Sequence, residues 1–72
     1  MAYSTAEIAS IKTEYPAGTR IKLNHKGEEK FPVADGTTGE VAFVDDAGQI
    51  HIKWDNGRTL ALIPGVDDFV KI

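Results

Sequence analysis

From Gly39 to Leu62 apolar and polar side chains alternate with a period of two, and two glycine-bearing turns interrupt the alternation. That pattern predicts three antiparallel strands joined by hairpins. In the middle strand Ile50, Ile52 and Trp54 fall on one face and His51 and Lys53 on the other, as a half-buried strand requires. Asn56-Gly57 tolerates positive φ at both positions and predicts a two-residue hairpin turn. Asp45-Asp46-Ala47-Gly48 predicts a longer loop with Gly48 as its left-handed residue.

The spacing changes at the N-terminus, where Ile8, Ile11 and Tyr15 recur along one helical side. Ser4 followed by Glu7 is a capping-box pattern, and Tyr3 with Ile8 has the spacing of a hydrophobic staple. Pro16 disfavours helical geometry at Tyr15, so a helix over 3–14 should stop near Thr13 or Glu14. A helix of roughly ten residues is marginal alone. It must dock, either on an open end of its own sheet or on another subunit.

Pro16-Ala17-Gly18 predicts a turn with proline in its second position. Thr19 to Leu23 then reads as a first strand, with Ile21 and Leu23 inward and Arg20 and Lys22 outward. Residues 24–37 form the longest irregular connection, apolar at Phe31-Pro32-Val33 and closed by Asp35-Gly36. A loop of that length in a compact domain is a natural place for a site, with Phe31 its most conspicuous side chain, or else a solvated loop with Phe31 tucked under the sheet. Pro64 ends the fourth strand, Pro64 to Asp68 suits a single helical turn, and Phe69 to Ile72 would pair back near the first strand. The expected fold is mainly β: one domain over 1–72, a small five-stranded SH3-like partly open barrel at 18–72 preceded by one short N-terminal α-helix.

Composition narrows the function classes. Seventy-two residues build at most one small core, and the absence of cysteine removes disulfides and thiolate metal sites. No apolar run is long enough for a membrane span, and no basic-then-apolar leader opens the chain, so a cytoplasmic protein without membrane association is expected. Eight basic against eleven acidic residues leave a net charge of −3, which argues against binding that depends on neutralising phosphates.

Motifs for chemistry are sparse. The chain has no Gly-x-Ser-x-Gly elbow, no His-Glu-x-x-His and no phosphate-cradling loop followed by Lys-Ser/Thr, so catalysis is not expected. His25 near Glu28 and Glu29 lacks a third metal ligand, and Asp45-Asp46 and Asp67-Asp68 lack the register of a calcium loop. No metal and no cofactor are therefore expected. His51 is an outward strand residue able to contact a ligand or partner, or simply a solvated one. Trp54 is a core residue or a stacking platform. Arg58, just past a hairpin tip, has no evident structural duty; with Lys53, Arg20 or Lys22 it would suit a phosphate or carboxylate, or it is a solvated charge beside Asp55.

Four segments carry a family resemblance: Tyr15 to Ile21, Gly36 to Val41, Val44 to Gly57 with its Trp-Asp-Asn-Gly string, and Ile63-Pro64-Gly65-Val66-Asp67. Together they resemble the family of domain of unknown function 4314 over residues 15–72, with the helix at 3–14 and the Phe31-Pro32-Val33 loop as departures. The resemblance implies a small accessory protein of bacteriophages or other mobile elements with no assigned activity. The rhythm is also similar to that of KOW-type and Mib/Herc2-type SH3-like modules, which bind nucleic acid or protein and do not catalyse.

Three functions follow as expectations. The leading one is a non-catalytic module that engages a host or element-encoded protein through an edge strand or the long loop. The second is a homo-oligomer, associated through the N-terminal helix, whose shared Lys/Arg pocket sequesters an anionic nucleotide-type defence signal. The third is a KOW-like nucleic-acid binder, disfavoured by the charge and the lack of an exposed aromatic row.

Overall fold

A computed structural model describes residues 3–25 and 33–72. Helix α1 (Thr5–Glu14) precedes strands β1 (Arg20–His25), β2 (Thr38–Val44), β3 (Ile50–Trp54), β4 (Thr59–Leu62) and β5 (Asp68–Lys71). The strands form one antiparallel sheet in the order β4-β3-β2-β1-β5. The architecture is mainly β, as the alternation predicts, and the sheet does not close into a barrel: β4 and β5 end it without pairing to each other.

The helix begins where its capping box says it should. Ser4 Oγ accepts from the Glu7 amide at 3.1 Å, and Glu7 Oε1 accepts from the Ser4 amide at 2.8 Å. Those bonds, with the Ser4 amide contributing most, hold the Glu7 carboxyl below its usual range. Ile11 is the buried residue of α1 and joins the sheet core, so the helix docks on its own chain. Tyr3 reaches beyond the helix: its ring lies over Gly48 in the β2–β3 loop, and its hydroxyl donates to the Pro64 carbonyl between β4 and β5.

The core lies under one face of the sheet, where Ile21, Leu23, Val41, Ile50, Ile52, Trp54 and Leu62 are each at most 3% exposed. Val33, at the end of the long connection, is also buried there. Phe31, proposed to tuck under the sheet, lies outside the described residues.

Three local expectations need correction. Asn56 does not take positive φ; Gly57 does, at +89°. The β3–β4 hairpin is therefore a three-residue loop, with the Gly57 amide donating to the Trp54 carbonyl at 3.0 Å and the Trp54 amide to Arg58 O at 2.7 Å. The β2–β3 hairpin repeats that geometry around Gly48 at φ +84°, so one turn design serves both. Pro16 occupies the first position of its turn, its carbonyl accepting from the Thr19 amide at 3.1 Å. Residues 64–66 form a turn with Gly65 at φ +84° in place of a helical turn, closed by the buried Asp67, whose carboxylate accepts from the Ile63 amide at 2.7 Å.

Candidate interaction surface

A bulge in β2 decides which side chains face solvent. Strict alternation from Val41 would send Phe43 into the core, but the β2–β3 register shifts between Val41 and Phe43. The extra residue, Ala42, turns Phe43 to the outer face, opposite His51. Phe43 is 54% exposed there.

The exposed ring is held by its neighbours. Its plane stacks on the His51 imidazole with centroids 4.3 Å apart and 8° between planes. His51 Nε2 meets Asp45 Oδ2 at 2.8 Å. Because a carboxylate only accepts, Nε2 is the donor in this contact. Asp45 is itself anchored, its Oδ1 accepting from the amides of Ala47 at 3.0 Å and Gln49 at 2.9 Å. The contact with His51, reinforced by these two amides against partial desolvation, lowers the Asp45 carboxyl from its ordinary value. A loop residue thus fixes the imidazole, and the imidazole fixes the phenyl ring. On the other side of His51 lies Ala61 of β4.

Arg20, Lys22 and Lys53 share this outer face but are differently committed. Arg20 is engaged with Asp55 at 2.6 Å and sits opposite Glu40 in register. Lys53 is exposed between Glu40 and Thr59, and Lys22 is exposed between Thr38 and Val70. Arg58 is exposed at the hairpin, its amide donating to Asn56 Oδ1 at 3.0 Å. Of the three residues expected to join Arg58 at an anion, Arg20 is engaged by Asp55, while Lys22 and Lys53 are exposed. Trp54 is 3% exposed, with its indole N–H donating to the Leu60 carbonyl at 3.3 Å, so it packs and offers no face for stacking. His25 meets Asp35 at 3.5 Å, while Glu28 and Glu29, its suggested co-ligands, lie outside the described residues.

Phe43 is the residue that alternation alone misses. Its signal was present in Val41-Ala42-Phe43-Val44, four consecutive apolar residues in a strand with only one buried face. Two depressions flank Tyr3, an open one of about 440 Å3 beside Ser10 and Ile11 and a more enclosed one of about 320 Å3 beside Ile63 and Val66. Among the described residues the only charged side chain lining either belongs to Glu7, already bound in the capping box.

No curated protein and no solved structure matches the chain. A family model does, over residues 4–72, a span that takes in α1 as well as the sheet and so extends the resemblance beyond residues 15–72. The chain belongs to the family described as Domain of unknown function (DUF4314).

Proposed function

We propose that the protein is a non-catalytic interaction module that binds a protein partner through the outer face of its sheet, with Phe43 as the anchor. What supports this reading is one observation: a large aromatic ring more than half exposed yet braced by His51 and, through it, by Asp45. A ring already held in place loses little freedom on binding, and aromatic anchors dominate the energetics of protein interfaces. Lys53 and Glu40, paired across β3 and β2, would supply the polar rim. On this reading the module belongs to a bacteriophage or mobile element and acts on a host or element-encoded protein in the host cytoplasm, with counter-defence as one role.

The nucleotide-sequestering and nucleic-acid readings draw less support, because Arg20 is bound to Asp55 and Lys53 faces Glu40. The test is affinity capture from host lysate with the wild-type chain and Phe43→Ala in parallel. A discrete polypeptide retained by the first and lost by the second is expected. Identical retention by both, or none by the wild type, overturns the reading.

A further inference from the structure

Strand β5 ends the sheet, pairing with β1 on one side only. The Ile72 amide donates to the Arg20 carbonyl at 3.0 Å, and Val70 lies opposite Lys22 in the same register. Hydrogen-bonded and non-bonded pairs alternate along an antiparallel ladder, so the amides and carbonyls of Phe69 and Lys71 point away from β1. Among the described residues nothing bonds to them. Beside these open groups the outer face carries Val70, 44% exposed, and Ile72, 63% exposed.

From this edge we infer that a second copy of the chain pairs with β5 in antiparallel fashion, making one continuous ten-stranded sheet across a two-fold axis. The register follows from the groups available. A two-fold axis perpendicular to the sheet keeps facing residues on the same side, so partners must share parity. Of the three registers that use the outward groups, only Phe69 opposite Lys71 of the second copy engages every amide and carbonyl of both residues on both strands. Placing Lys71 opposite itself would set like charges together, and placing Phe69 opposite itself would leave the Lys71 groups unused. The chosen register brings Val70 against Val70 of the second copy at the two-fold axis, in the non-bonded type of pair where side chains approach most closely. It covers the apolar surface that the isolated sheet leaves open and gives the outer faces of both copies a common side.

The other sheet edge is less suited. Counted from the Trp54–Arg58 pair, the outward-pointing backbone groups of β4 are those of Thr59 and Ala61, and Ala61 is already engaged. The inference also stands apart from what Phe43 contacts, since Phe43 lies on β2 with β1 between it and β5.

Two measurements test it. Sedimentation of the whole chain from about 10 µM to about 1 mM, the range in which small interfaces associate, should approach twice the 7.8 kDa chain mass. Val70→Lys, which would set two ammonium groups face to face, should return it to the chain mass with an unchanged circular dichroism spectrum. The chain has no cysteine, so Val70→Cys places one thiol on each copy. Mild oxidation should join them far faster than in Thr13→Cys, because closely opposed strand positions fall within disulfide reach. A chain that stays monomeric to about 1 mM overturns the inference, as does a dimer that survives Val70→Lys or gives no preferential Val70→Cys link; the last two would place the contact elsewhere, α1 included.

Discussion

The guanidinium of Arg20 grips the carboxylate of Asp55 with two prongs, Nη1 to Oδ1 at 3.0 Å and Nη2 to Oδ2 at 2.6 Å. Arg20 is on β1 and Asp55 follows β3, so the contact spans the intervening β2, from which the Thr38 hydroxyl donates to the same carboxylate. The charge pair therefore ties three strands together on the outer face.

Its pH dependence has a definite sign. Arg20, then Thr38, depresses the Asp55 carboxyl from 3.8 to about 2. A carboxyl whose folded value lies below its unfolded one adds stability above the unfolded value and loses it as pH falls toward the folded one. Urea midpoints of the wild type should thus decline between about pH 4 and pH 2. Asp55→Asn should start lower at neutral pH and show a shallower decline over that window. Solvent screening keeps the effect modest, since Arg20 and Asp55 are 42% and 47% exposed.

Gly39 provides a second test. It lies opposite Trp54, and a Cβ there would stand 2.6 Å from Ile52 Cγ2, 3.0 Å from the Lys53 carbonyl and 3.1 Å from the Trp54 ring. Ile52 is buried and cannot swing away. Gly39→Ala should cost about 1–3 kcal/mol by overpacking, read from denaturant unfolding.

The N-terminal clamp separates into two contributions. Ser4→Ala removes the cap and should cost about 1 kcal/mol with loss of helical ellipticity. Tyr3→Phe leaves α1 capped but deletes the bond to Pro64, and should cost about 1 kcal/mol with helicity retained. Thermal unfolding followed at a helical wavelength distinguishes them.

Phe43 and Trp54 should behave in opposite ways. Phe43→Ala loses a stacked pair at the surface and should change stability by no more than about 1 kcal/mol. Trp54→Ala empties part of the core and should cost about 3–5 kcal/mol. Parallel urea titrations check both.

Period-two alternation in β3 and the Ser4/Glu7 cap were readable because each is local: the residues that form the feature are neighbours in the chain. Asn-Gly suits both the two-residue and the three-residue hairpin, and in the β3–β4 turn the choice is made by whether Trp54 pairs with Arg58. The engagement of Arg20 is not legible in the sequence, because the Arg20–Asp55 contact joins residues 35 apart. The outward face of Phe43 is not legible from alternation, because one inserted residue reverses every face that follows it in the strand.

The most direct test of Phe43 as the anchor puts a photoreactive benzoylphenylalanine in its place and irradiates the chain inside host cells, with the same group at Thr13 on the exposed helix as the comparison. A discrete adduct with another polypeptide from position 43 and none from position 13 is the expected result. No adduct at 43, or the same adducts from both positions, would contradict it.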